Sequence, residues 1–114
     1  LKHRKIAKIY STELADCTAV KVLPYDPDCS YWLYSLLVKE GTKEEFIEYL
    51  KDQGIAASPV HHRNDNYACT AAFKGGDLPG VDAFYREQVS IPVGWWLKSR
   101  DVAYIIETIR RYKA

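Results

Sequence analysis

The stretch Tyr31-Trp-Leu-Tyr-Ser-Leu-Leu-Val38 determines how the rest of the chain can be arranged. Apart from Ser35, its side chains are aromatic or aliphatic, which is typical of a strand that is covered on both faces. Gly41 follows soon afterwards and favours an end to the strand. We therefore predict that residues 31–38 form the central strand of a sheet.

A helix is predicted directly after this strand. Thr42 and Glu45 have the spacing of a capping box, in which the hydroxyl and the carboxylate each accept a backbone N–H at the start of a helix. Gly54 can supply the left-handed residue that ends the helix. The apolar face of this helix consists of Phe46, Ile47 and Leu50. We expect a helix over residues 43–53 and a second strand over residues 55–61.

The remaining segments predict a small sheet with helices packed on it. Helices are expected near residues 2–15, 79–88 and 99–112, and short strands over residues 19–23 and 89–92. Ser99 is the expected N-cap of the last helix, and Pro92 allows only an edge strand or the start of a strand. The expected fold class is α+β, an α/β sandwich in which about four helices pack on a largely antiparallel sheet of about three to four strands.

Composition excludes several classes of function. The 114 residues are enough for one domain, residues 1–114, with a core that needs no disulfide or metal. Sixteen basic and fifteen acidic residues leave a net charge of +1, so no general attraction to nucleic acid or to an anionic membrane is expected. The 3 cysteines lack a Cys-x-x-Cys motif and suggest reduced thiols in a cytoplasmic protein. Leu1 in place of a methionine suggests a piece of a longer or processed protein.

A polar loop follows the predicted second strand. Polar residues at the end of a packed element often carry function. The candidate binding residues are therefore His61, His62, Arg63, Asn64 and Tyr67. Alternatively, Asn64, Asp65 and Asn66 turn a surface loop in which Arg63 pairs with Asp65. Adjacent histidines at a strand end point to opposite sides, so no metal site is expected.

Several short motifs occur in a fixed order along nearly the whole chain. They are Tyr10 with Leu14, the strand 31–38, the helix 44–50, Gly54-Ile55 before the strand that ends at His61, Leu78-Pro79-Gly80-Val81-Asp82, Ile91-Pro92-Val93, and Leu97 with Asp101-Val102. In this order and spacing they resemble the C-terminal small domain of the DegT/DnrJ/EryC1/StrS family of pyridoxal-phosphate-dependent sugar aminotransferases.

This resemblance implies the fold of the small domain of fold-type I aminotransferases. In the family, a large N-terminal domain provides the lysine that forms the Schiff base, the acidic residue on the pyridine nitrogen and the phosphate cradle. That domain is absent here, so the chain alone is expected to hold no cofactor, to contain no catalytic residue and to be inactive. The complete enzyme would use pyridoxal phosphate to move an amino group from glutamate or a similar donor to a keto-sugar.

The resemblance also suggests roles for the candidate residues. In the assembled enzyme, His61, His62 or Arg63 would reach a substrate phosphate or sugar. The family usually has His-Tyr at the position of His61-His62, and commonly His-Pro where this chain has Gly94-Trp95-Trp96. The two tryptophans could form a stacking platform for a base or sugar. Alternatively, one covers the core and the other fills an interface with the missing domain.

The expected partners are a large domain that binds pyridoxal phosphate (PLP) and a second copy of the chain. Removal of the large domain should uncover an apolar face formed by Trp95, Trp96, Tyr67 and parts of the first helix, which favours a homodimer.

Two other functions stay open. One is a stand-alone small-molecule-binding or regulatory module with this fold, and the other is a small nucleic-acid- or protein-binding α/β plait, which the nearly neutral charge disfavours.

Overall fold

The computed structural model describes residues 2–59, 63–73 and 75–114. Within these residues the chain forms helices and a small sheet. The helices are α1 (Lys2–Glu13), α2 (Lys43–Asp52), α3 (Pro79–Glu87) and α4 (Ser99–Arg110), the strands are β1 (Val20–Val22), β2 (Tyr34–Val38) and β3 (Gln88–Ile91), and two short 3-10 helices span Asn64–Asn66 and Ala68–Phe73. Among the described residues, no helix has both the length and the apolar character needed to cross a membrane.

The sheet is antiparallel, with β2 between β1 and β3. Leu36 at the centre of β2 faces Val22 on one side and Val89 on the other. The predicted α+β class, the central position of the strand within residues 31–38 and the edge position of the strand before Pro92 are therefore confirmed.

The predicted second strand over residues 55–61 is wrong for its described part, residues 55–59. There, Ser58 makes an isolated bridge to Ser90, with N–H to O distances of 3.2 and 2.8 Å in the two directions. Pro59 follows immediately and has no N–H to donate, so the ladder cannot continue through it. Val60 and His61 lie outside the described residues.

The central strand begins at Tyr34 and not at Tyr31 as predicted. Tyr31 has a φ of +52°, in the left-handed region that aromatic residues rarely adopt. Its hydroxyl accepts a hydrogen bond from the N–H of Asp26 at 2.7 Å, and its carbonyl oxygen accepts one from His3 Nδ1 at 3.1 Å. These contacts hold the chain in a turn before β2, and Trp32 is consequently 69% exposed.

The starts of α2 and α4 show how local sequence sets helix ends. Thr42 Oγ1 accepts the N–H of Glu45 at 3.2 Å, and the Glu45 carboxylate accepts the N–H of Thr42 at 3.3 Å, which confirms the predicted capping box. The expected N-cap Ser99 is wrong, because Ser99 is already the first residue of α4. Lys98 holds the cap position, and its N–H is bound by the Asp101 carboxylate at 2.9 Å.

The core lies between one face of the sheet and the helices α1, α2 and α4. The largest fully buried side chains are Tyr10, Leu14, Leu36, Phe46, Leu50, Val89, Thr108 and Ile109. The opposite face of the sheet carries polar side chains, since residues alternate along a strand. Ser35 Oγ lies 3.0 Å from Ser90 Oγ, and Gln88 Nε2 donates to Ser90 Oγ at 3.0 Å. The sheet therefore has one apolar face and one partly polar face.

Candidate functional site

Arg63 connects the polar loop to α3. Its Nε and one terminal nitrogen donate to the two carboxylate oxygens of Asp65 at 2.8 and 2.6 Å, and its other terminal nitrogen donates to Asp82. The hydrogen bonds to Asp65, and then those to Asp82, raise the pKa of Arg63 above its usual value. The expected Arg63–Asp65 pair is present, and the two carboxylates accept three of the five N–H groups of the guanidinium.

Asn64 and Tyr67 belong to a compact surface turn. Thr70 Oγ1 donates to the carbonyl oxygens of Asn64 and Tyr67, at 2.5 and 3.0 Å. Tyr67 is 47% exposed, and none of the described residues in 63–73 and 75–87 is buried. His61 and His62 lie outside the described residues, so the predicted binding role of the loop stays a prediction.

The tryptophans lie at a different place, around a groove with a volume of about 600 Å³ that we call the tryptophan groove. Trp32 and Trp96 line it together with an apolar floor, whereas Trp95 lies beside Trp96 with ring centroids 6.0 Å apart. The floor includes Ile55, Ala57, Ile91, Val93, Leu97 and Ile105. The described residues of the polar loop are not among those that line the groove, so the structure separates the two predicted sites.

Contacts with α1 and with a glycine hold the tryptophan pair in place. Lys2 Nζ donates to the carbonyl oxygen of Trp95 at 2.8 Å, and the ring of His3 meets the ring of Trp96 edge-on at 6.4 Å. A Cβ atom on Gly94 would lie 2.3 Å from the Trp96 ring, so only glycine allows this close approach. Trp95 and Trp96 are nevertheless 70% and 57% exposed, and their predicted role at an interface stays a prediction.

Sequence reasoning missed Trp32 as part of this surface. The run of apolar residues placed it inside the central strand, where it would be covered. The left-handed backbone of Tyr31 depends on Asp26 and His3, which are 5 and 28 residues away. The apolar pattern carries no signal of this turn, and the exposure of Trp32 becomes visible only in the structure.

Comparison with known proteins identifies one family. Residues 1–110 match the DegT/DnrJ/EryC1/StrS aminotransferase family. The sugar aminotransferase CalS13 from Micromonospora echinospora is 38% identical with a TM-score of 0.87, over 96% of this chain and 29% of that one. The uncharacterized protein MJ1066 of Methanocaldococcus jannaschii is 27% identical over 96% of this chain and 31% of its own.

A third comparison concerns the fold. The putative sugar aminotransferase Spr1654 from Streptococcus pneumoniae, solved in a PLP form, has a TM-score of 0.80 at 24% identity, over 96% of this chain and 30% of that one. At this identity the likeness shows a shared fold. The chain thus spans about a third of the length of the relatives it matches.

Proposed function

Because the chain belongs to the DegT/DnrJ/EryC1/StrS aminotransferase family, we propose that it is the C-terminal small domain, or a stand-alone version of that domain, of a PLP-dependent nucleotide-sugar aminotransferase. The observation that supports this most strongly is the 38% identity to CalS13, which extends over 96% of this chain but only 29% of that enzyme. In the complete enzyme an amino group would move to a keto-sugar. We place the protein in the cytoplasm.

The described residues of this chain do not fit a PLP site of their own. A Schiff-base lysine needs a lowered pKa and nearby groups that hold the cofactor ring and phosphate. Lys43, the one lysine buried among the described residues, instead donates to the carbonyl oxygen of Tyr85 at 2.5 Å. Its ammonium also lies 4.0 Å from the centre of the Tyr85 ring. Lys43 therefore joins α2 to α3, and we assign the cofactor to the large domain.

The proposed contribution of this chain is to substrate binding and to assembly. We assign contacts with a substrate phosphate or sugar to the loop that contains His61, His62, Arg63, Asn64 and Tyr67. We propose that Arg63 exchanges the Asp82 carboxylate for the substrate, which would couple substrate binding to the position of α3, which carries Asp82.

The first prediction concerns activity with and without the rest of an aminotransferase. The purified chain mixed with pyridoxal phosphate should show no aminotransferase activity and no absorbance of a protein-bound cofactor, because the chemistry depends on the cofactor and its lysine. A chimera in which this chain replaces the corresponding 29% of CalS13 should bind the cofactor and transfer amino groups. Absorbance spectra and a coupled glutamate assay measure both properties.

Unmodified CalS13 serves as the positive control. Borohydride-stable labelling of one lysine of the isolated chain at near-stoichiometric level would contradict the assignment of the cofactor to another domain. In that event a Lys43→Met variant would test whether Lys43 is the labelled residue. A folded chimera that lacks activity and cofactor binding would favour the stand-alone binding or regulatory module.

The second prediction concerns oligomeric state. We propose that the isolated chain forms a two-fold symmetric dimer, because Trp95 and Trp96 are 70% and 57% exposed and apolar faces of this kind are usually covered. Sedimentation of the wild type should show a dimer, and the Trp95→Ser/Trp96→Ser variant should sediment as a monomer. A matched Phe73→Ser variant, altered at an 86% exposed side chain elsewhere, should remain dimeric. A wild-type chain that stays monomeric at high concentration would refute the proposal.

A further inference from the structure

We propose that the tryptophan groove is the docking site for an apolar segment of the PLP-binding large domain, with Trp32 as its central contact. This inference rests on the proposed function and specifies which surface of the small domain meets its partner. Trp32 is 69% exposed and lines the groove together with apolar side chains that include Ile91 and Ile105. Tryptophan is enriched among the residues that dominate protein interfaces, whereas an isolated chain gains nothing from exposing it.

The backbone next to Trp32 and the backbone next to Trp96 each hold a conformation that presents the ring. The left-handed conformation of Tyr31 costs free energy, and it persists because surrounding contacts impose it. Those contacts are the hydrogen bonds from Asp26 and His3 and the parallel stacking of the Tyr25 and Tyr31 rings at 5.5 Å. Gly94 lets the Trp96 ring lie directly over the Gly94 backbone. Strain of this kind that leads to an exposed aromatic side chain indicates a functional surface.

The chemistry of the lining favours a protein segment over a small polar ligand. Ligand sites combine apolar walls with a few polar groups that orient the ligand. Here the Asp101 carboxylate binds the N–H of Lys98, the Tyr104 hydroxyl donates to the carbonyl oxygen of Gln53, and the Ser90 hydroxyl is held by Ser35 and Gln88. These polar groups are already paired within the chain, so the groove mainly offers apolar surface.

We infer the partner that occupies the groove from how much longer the relatives are than this chain. This chain corresponds to 29% of CalS13 and 31% of MJ1066, so roughly 70% of each relative is protein that the small domain can contact and that is not represented here. Among the described residues that line the groove, Asp101 carries the one charge, which matches an apolar partner surface. A second copy of the chain would bury the groove in isolation, and the large domain would replace that copy in the assembled enzyme.

The test uses the CalS13 chimera described above and does not depend on its activity. Hydroxyl-radical oxidation followed by mass spectrometry should show that Trp32 and Trp96 are much less reactive in the chimera than in the isolated chain. Trp32→Ser should lower the melting temperature of the chimera by several degrees, because truncation of a central interface tryptophan is among the most costly changes. At concentrations low enough for the isolated chain to be monomeric, the same substitution should leave its melting temperature unchanged, since the side chain is mostly exposed in the monomer.

Phe84→Ser is the matched control, because Phe84 is 45% exposed and lies on α3 outside the lining of the groove. It should leave the chimera as stable as the parent. A folded, active chimera in which Trp32 and Trp96 remain fully reactive, or in which Trp32→Ser has no effect, would overturn the docking site and leave the proposed function intact. A chimera that folds but fails to bind the cofactor would overturn both. Protection of the two tryptophans only in dimers of the isolated chain would assign the groove to a second copy.

Discussion

Replacing Leu36 with aspartate is expected to unfold the domain at neutral pH. Leu36 is fully buried at the centre of β2, between Val22 and Val89 on the neighbouring strands. A carboxylate at this position would have no cation to pair with in the apolar core and would cost several kcal/mol. That penalty is a large part of a total stability of about 5 to 15 kcal/mol. Circular dichroism during heating or urea titration would show a lost or strongly lowered transition.

The adjacent residue provides a matched control. Leu37 lies on the same strand but points to the other face of the sheet and is partly exposed. Leu37→Asp introduces the same charge one residue away and should lower stability much less, because its carboxylate can reach water. If Leu36→Asp melted at the temperature of the wild type, or if both variants lost equal stability, β2 would not be the buried centre of the fold.

Local patterns predicted those parts of the fold that depend on neighbouring residues. The capping box joins Thr42 and Glu45, three positions apart, and β2 is apolar except for Ser35, so both could be recognised without knowledge of the tertiary structure. The prediction of a strand over residues 55–61 was wrong for residues 55–59, because their apolar side chains suited a strand, while Pro59 interrupts the hydrogen-bond ladder. Short apolar runs do not by themselves determine which backbone pairs form.

The candidate site could likewise be predicted only where its contacts join residues that are close in sequence. The pair of Arg63 with Asp65 was predictable because the two residues are close in sequence, whereas the contact with Asp82 joins positions 19 residues apart. The exposure of Trp32 depends on a left-handed tyrosine that is held by residues from α1 and from the preceding loop. Such contacts arise from tertiary packing, which a single sequence without homologues does not reveal.

The last prediction is that the domain loses stability steeply above pH 10. Burial raises the pKa of Tyr10, with a smaller contribution from Tyr34, and burial likewise raises the pKa of Tyr34. The Tyr10 hydroxyl donates to the carbonyl oxygen of Pro92 at 2.7 Å, and an ionised phenol could not make this bond. In the unfolded chain these tyrosines ionise near pH 10. Above that pH the unfolded state therefore binds fewer protons than the folded state, and stability falls as pH rises.

The size of this effect for Tyr10 follows from linkage. Between the unfolded and the folded pKa of one buried tyrosine, the free energy of unfolding falls by up to about 1.4 kcal/mol per pH unit. Below pH 9 the contribution of Tyr10 is fully present, so stability should be nearly independent of its titration there. Urea unfolding at half-unit steps from pH 8 to pH 12 would measure this slope, and Tyr34 should steepen it in the same direction.

Two substitutions separate ionisation from simple loss of packing. Tyr10→Phe removes the ionisable group together with its hydrogen bond to Pro92, so it should lower stability at pH 8 but make the alkaline slope shallower by up to about 1.4 kcal/mol per pH unit. Phe46→Leu also removes buried volume from the core but no ionisable group, so it should lower stability equally at every pH. An unchanged slope in Tyr10→Phe would show that the Tyr10 phenol does not control alkaline unfolding. If only Tyr10→Phe has a shallower slope, ionisation of the Tyr10 phenol controls alkaline unfolding. The hydrogen bond from this phenol to Pro92 would then join α1 to the end of β3 only while the phenol is protonated.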